Sequence, residues 1–157
     1  SNRVIGEASR QEMRAKNLIH RASFILVFND SGELFVQQRT MTKDIYPGCW
    51  EIAAGGVVMA GETVEESAER ELLEELGVKA ELHYLYEMFY EDALNRLYCH
   101  IFRTKHNGPF TLQPEEVVQG EFMPIPEIVT RLGADNLTPD ALPILDYLMG
   151  NKIGVTS

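Results

Sequence analysis

Between Glu62 and Glu75 half of the residues are glutamate, and the only cation among them is Arg70. The stretch is otherwise built to be a helix. Glutamate is a good helix former, and Ala68, Leu72 and Leu76 recur every four residues as a stripe that packs against a core. Glycine at position 77 supplies a C-terminal stop. Acidic helices usually set Lys or Arg four residues after each glutamate. Here Glu62–Glu66, Glu65–Glu69 and Glu71–Glu75 are like-charge pairs, each destabilising by a few tenths of a kcal/mol.

At 100° per residue, Glu75 falls about 40° to one side of Glu71 and Glu74 about 60° to the other. Glu62, Glu66 and Glu69 point away, toward water. The trio 71, 74 and 75 lies at the edge of the buried stripe, where loss of solvent sharpens repulsion. A divalent cation relieves that repulsion, and the i, i+3, i+4 spacing lets three side chains of one helix converge. Oxygen-only ligands select Mg²⁺ or Mn²⁺ over zinc. Before the helix, Gly55-Gly56 permits a tight backbone approach to a metal or phosphate. Arg70 adjoins the cluster and is suited to hold a glutamate in orientation by a bidentate contact.

The chain has 157 residues, enough for one domain with its own core. We expect residues 1–157 to form a single domain, with 1–19 an N-terminal segment truncated or tag-derived at its start, since Ser1-Asn2 reads as a tag remnant. A net charge of −10 argues against nucleic acid or an anionic membrane as partner. It leaves room for a small phosphorylated substrate, because a metal ion supplies positive charge locally. Cys49 and Cys99 form no zinc-type spacing and read as free thiols in a reducing compartment. The apolar runs are too short to span a bilayer. The expected location is cytoplasmic.

Along the chain, 9–17 reads as a polar helix, 21–28 and 33–39 as strands joined by the NDSG turn, and YPGCW as a tight loop. EIAAGGVV reads as a strand interrupted at Gly55-Gly56. Further strands are expected at 79–90, 95–104 and 121–125, and closing helices at 126–133 and 138–150, each opening near a proline. Mixed strands and helices without strict alternation point to α+β or an α/β/α sandwich with a mixed sheet.

Gly56, then Glu62, then Arg70-Glu71-Leu72-Leu73-Glu74-Glu75-Leu76-Gly77-Val78 fill every fixed position of a Nudix box, and the chain resembles the Nudix hydrolase superfamily. The resemblance implies an α/β fold, an α/β/α sandwich with a mixed β-sheet in which the box is a loop-helix-loop. It implies Mg²⁺-dependent hydrolysis of a diphosphate linkage in a nucleoside diphosphate derivative or related metabolite. It assigns metal binding to Glu71, Glu74, Glu75 and the Gly56 carbonyl, with Glu71 and Glu75 foremost. Glu62 and Arg70 orient these groups. The general base comes from the box, Glu71 or Glu74, or from a distant loop, where Glu115 and Glu116 precede the last strand. Family members are often homodimers.

Residues 20–50 also resemble the isopentenyl diphosphate isomerase branch of the superfamily. That likeness implies that Arg39 and Lys43 hold the diphosphate and that His20 binds metal; His20 and Arg21 are also candidate substrate contacts. The isomerase pattern breaks elsewhere: its nucleophilic cysteine falls at Gly55, a metal-binding histidine at Val57 and a metal carboxylate at Pro114, although Glu116 matches another. An isomerase-like enzyme and a non-catalytic nucleotide-binding module stand as alternatives to the hydrolase. Tyr46, Trp50, Phe89, Tyr90 and Tyr98 are aromatics suited either to stacking on a base or to the core.

Overall fold

The computed structural model describes residues 19–43, 45–93 and 96–152. The helix expected at 9–17 lies outside them. β1 (Ile19–Phe28) is the centre of the sheet. It runs parallel to β6 (Arg96–Lys105) over ten residue pairs, from Ile19↔Arg96 to Phe28↔Lys105. β5 (His83–Glu91) closes that side antiparallel to β6. On the other side lie β2 (Leu34–Arg39), β3 (Trp50–Glu51), β4 (Ala54–Val57) and β7 (Val117–Met123).

β1 is a near-continuous apolar run because both of its faces are covered. On one face Ile25, Val27, Phe35 and Phe102 pack beneath Val64, Ala68, Leu72 and Leu76 of α1 (Val64–Leu76). On the other, Ala22, Leu26, Leu97 and Ile101 pack beneath α2 (Ile128–Leu132) and α3 (Ala141–Gly150), through Ile128, Ile144 and Leu148. The result is an α/β/α sandwich on a mixed sheet.

Three sequence expectations are revised. The third strand run breaks at Ile52-Ala53, and the glycines sit inside β4, paired to Phe24 and Ser23 of β1. The last strand starts earlier, at Val117, because it pairs along the whole of β2 up to Leu34↔Met123, and Pro124 ends it. The strand expected from residue 79 begins at His83.

α1 is delimited by its own sequence. Thr63 and Glu66 form a reciprocal capping box, with Glu66 N–H donating to Thr63 Oγ1 at 3.0 Å and Thr63 N–H to Glu66 Oε1 at 2.9 Å. Gly77 takes a left-handed φ of 70° as the C-terminal stop. Ser23 Oγ donates to the Val64 carbonyl at 2.8 Å and pins the first turn to β1.

Beneath α1 lies His100, 5% exposed, with Tyr84 Oη 3.1 Å from its Nδ1. Burial holds its pKa below the ordinary value; Arg21 adds to that, while Glu87 and Glu65 oppose it. A folded-state pKa below the unfolded one means His100 supports the fold fully above pH 6.5, and that support is lost as pH falls from there through the folded value. An NMR titration of the His100 ring protons is expected to show a midpoint below 6.5. A midpoint at or above it would show that Glu87 outweighs burial.

Candidate active site

β1 and β2 register at Phe28↔Leu34, and β4 runs along β1 farther down the strand. The wedge between them is where the charged residues gather. Cross-strand pairing sets Gln37 of β2 opposite Glu51 of β3. From above, the last turns of α1 bring in Glu71 and Glu75.

Glu75 is fixed at both oxygens. Its Oε1 accepts from Gln37 Nε2 at 3.1 Å and its Oε2 from the Gly55 amide at 3.0 Å. Gln37 Nε2 also donates to Glu51 Oε1 at 2.9 Å, and Arg39 Nη1 donates to Glu51 Oε2 at 3.1 Å. Glu71 Oε1 accepts from Arg70 Nη1 at 2.9 Å. Burial raises the Glu75 pKa well above the ordinary carboxylate value, and the charges of Glu51 and Glu71 raise it further. Glu51 is also raised, by burial first, with Arg39 pulling the other way. Among the described residues no three His, Cys, Asp or Glu side chains stand ready-made around one ion position. The oxygens are tied instead to the donors of Gln37, Arg39, Arg70 and Gly55.

Arg70 links the box together. Its Nε and Nη2 grip Glu62 at 2.7 and 3.0 Å, and its Nη1 lies 3.3 Å from Glu74. The contact with Arg70 holds the Glu62 pKa below its ordinary value. Glu62 thus faces Arg70 rather than open water, a departure from the helical projection that follows from its place ahead of the first turn of α1. Glu74 is on the rim, its side chain 49% exposed, apart from the carboxylates around Glu75.

Two glycines make room for this arrangement. A Cβ on Gly56 would lie 2.7 Å from Glu71 Oε1, so the Glu71 carboxylate rests against bare backbone. A Cβ on Gly55, at φ 152°, would lie 2.0 Å from the Ser23 carbonyl oxygen.

A cavity of about 170 Å³ opens beside the wedge, lined among others by His20, Arg39, Lys43, Glu51, Gly55 and Gly56. Three of the four sequence candidates for substrate contact therefore meet there. Arg21 does not. It alternates to the α1 face of β1, beside His100, and its Nε is buried without a hydrogen-bond partner. Lys43 Nζ is ion-paired to Glu116, so a candidate phosphate ligand on the cavity wall and a candidate base neutralise each other. Of the five aromatics singled out, Tyr46 lines the cavity, and its hydroxyl bonds Asp92, which also accepts from Tyr90 Oη at 2.8 Å. Neither cysteine is among the lining residues, and Cys99 is fully buried, its thiol pushed up by desolvation.

Sequence reading missed Gln37, Glu51 and Asp140. Asp140 lines the cavity because Thr138 N–H donates to the Trp50 carbonyl at 2.9 Å, tying the start of α3 to β3. Burial raises its pKa. The one available signal was Gln37, a polar residue continuing the buried run Leu34-Phe35-Val36.

The family model for the NUDIX domain matches residues 18–148. The chain is 46% identical over 123 residues to the uncharacterised Nudix hydrolase PA4841 of Pseudomonas aeruginosa, covering 78% of this chain and 73% of that protein. It is 43% identical over 149 residues to the uncharacterised Nudix hydrolase YfcD of Escherichia coli, covering 94% and 82%. In structure it is similar to DR0079 from Deinococcus radiodurans, with a TM-score of 0.73 at 22% identity over 82% of each chain. It is also similar to a MutT protein from Methanosarcina mazei, with a TM-score of 0.70 at 19% identity over 82% of this chain and 94% of the other. These two structural likenesses concern the fold.

The two glycines separate stability from function. Gly55→Ala is expected to cost roughly 3 kcal/mol or more in chemical denaturation, since its Cβ meets fixed backbone. Gly56→Ala is expected to cost about 1 kcal/mol or less, because a flexible carboxylate gives way, yet to depress turnover by displacing Glu71.

Proposed function

The chain belongs to the NUDIX family of hydrolases, and from that premise we propose that it hydrolyses a diphosphate linkage in a nucleoside diphosphate derivative or related small metabolite, with Mg²⁺ or Mn²⁺ as cofactor. The observation that supports this reading is the gathering of Glu71 and Glu75 on the bare backbone of Gly55-Gly56.

The residues present suit a hard dication. The candidate donors are carboxylate oxygens and a backbone carbonyl, the ligand types such an ion takes. Each Glu75 oxygen accepts one hydrogen bond and keeps a further lone pair. Glu71, Glu75 and the Gly56 carbonyl would hold the ion, with Glu74 joining from the rim by side-chain rotation. A bound ion supplies positive charge to the diphosphate and acidifies an attacking water.

The protein's own groups do the rest. Arg70 fixes Glu71 while Glu62 fixes Arg70, so the carboxylate is aimed before substrate arrives. Arg39, Lys43 and His20 offer cationic or donor groups to phosphate oxygens along the cavity wall. Glu74 and Glu116, both about half-exposed, are the candidates to accept the water's proton, Glu74 where it does not ligate the ion and Glu116 once the diphosphate draws Lys43 away. The cavity is smaller than the roughly 300–1,000 Å³ of sites that enclose a drug-sized ligand. At about 170 Å³ it encloses one end of the substrate and leaves the other at the surface. An isomerase-like reaction fits less well, because Gly55 stands where its nucleophile would be and neither cysteine lines the cavity. Among the described residues no helix is long and apolar enough to cross a membrane.

The test is product release from a panel of nucleoside di- and triphosphates, ADP-ribose, NADH, dinucleoside polyphosphates and isopentenyl diphosphate, with and without Mg²⁺. We expect metal-dependent cleavage that falls by more than about 100-fold in Glu75→Gln, beyond what changes outside the ligand set cost. Metal-free Glu75→Gln should be as stable as the wild type or more so, since repulsion is relieved. No cleavage of any compound, with tight binding of one, would establish a binding module instead.

A further inference from the structure

Gln37 is a neutral amide 1% exposed, in a strand whose preceding residues are apolar and buried. A polar side chain there is costly unless its atoms are paired. Its Nε2 serves two acceptors, Glu51 at 2.9 Å and Glu75 at 3.1 Å, while its Oε1 is buried with no hydrogen-bond partner. An apolar residue of similar size would fill the space without that orphaned carbonyl.

The bonds on either side extend the pattern. Glu75 Oε2 accepts from the Gly55 amide, Glu51 Oε2 accepts from Arg39 Nη1, and Arg39 Nε donates to the Ile45 carbonyl at 3.0 Å. The row Gly55–Glu75–Gln37–Glu51–Arg39–Ile45 runs from the helix carboxylates to the loop that carries Lys43 and Tyr46 along the cavity. Glu51 belongs to no part of the helix motif, yet it stands one amide away from Glu75.

We propose that Gln37 is a positioning residue of the hydrolytic site, and that the row it bridges couples cation binding at Glu75 to the grip of Arg39 on the diphosphate. The inference rests on the metal-dependent hydrolase reading above. A single NH₂ group holds together two carboxylates that would otherwise repel each other, which aims Glu75 at Gly55-Gly56. Positive charge gained at Glu75 weakens its pull on the Gln37 amide. Glu51 is then held more firmly by that amide and competes less for Arg39, which turns to the substrate. By linkage, substrate held by Arg39 strengthens cation binding to the same degree.

The experiment measures Mn²⁺ binding to the whole chain by calorimetry, without substrate, in wild type, Gln37→Met, Glu51→Gln and the double variant. Gln37→Met is expected to weaken Mn²⁺ binding 10- to 100-fold, the range for groups that orient metal ligands. The midpoint of its metal-free thermal unfolding is expected to fall, because Glu51 and Glu75 lose the donor they share, which outweighs removal of the orphaned carbonyl, so binding is compared at a temperature where the variant is folded. Glu51→Gln should weaken binding in the same direction, and the double variant should lose no more than the worse single one. KM for the substrate found in the panel should rise in Gln37→Met, where Glu51 is left to Arg39 alone, and should not rise in Glu51→Gln, where Arg39 is released. Binding by either folded variant within about twofold of wild type, the error of such comparisons, overturns the proposal, as do strictly additive losses. Should Gln37→Met not fold, Glu51→Gln decides by the same criterion. Wild type that binds no Mn²⁺ overturns the hydrolase reading as well; wild type and variants that bind it equally overturn this inference alone.

Discussion

Glu51, Glu71 and Glu75 repel one another at the edge of an apolar core, and much of the surrounding structure is arranged to contain that repulsion. Burial and mutual charge raise the Glu75 pKa well above the carboxylate norm. Isolated charge in such a place is prohibitively costly, so each carboxylate is met by a fixed donor: Gln37, the Gly55 amide, Arg39 and Arg70. Those donors come from β2, from β4 and from α1 itself. The sheet wedge exists where they must meet.

The same constraint explains the local backbone. β4 runs against β1 so closely at Gly55 that a side chain there would strike the Ser23 carbonyl. This closeness brings the Gly55 amide within reach of Glu75. At Gly56 the missing side chain leaves its space to the Glu71 carboxylate. Two adjacent glycines thus serve different ends, one for chain packing and one for placing a functional group. The Thr63–Glu66 box and the Gly77 stop set the length of α1, so that its last two turns, and not its first, face the wedge.

The cavity lies on the other side of the same row of hydrogen bonds. Arg39 is shared between Glu51, the Ile45 carbonyl and the cavity. Lys43, also on the cavity wall, is ion-paired to Glu116. On the proposed reading, an acidic chain receives an anionic diphosphate through Arg39 and Lys43 on the cavity wall, with a divalent ion adding to them.

Much was legible in residue order alone. The spacing of Gly56, Glu62, Arg70, Glu71, Glu74 and Glu75 identified the family, because a helix has a fixed pitch and local spacing is enough to place side chains on it. The capping signals, the buried stripe of α1 and the central apolar strands follow from equally local rules. What the tertiary structure decided is everything set by pairing between distant segments. Glu51 reaches Glu75 only because β3 pairs with β2 in a register that puts Gln37 between them. Arg21 leaves the candidate site and His20 stays because strand alternation sends neighbours to opposite faces, and which face carries α1 is not written locally. Asp140 enters the cavity through one backbone bond from Thr138 to Trp50, 88 positions apart in the chain. Helix geometry is periodic and local, so sequence suffices for it; sheet register and the meeting of loops depend on the whole packed chain, so only the folded structure reveals them.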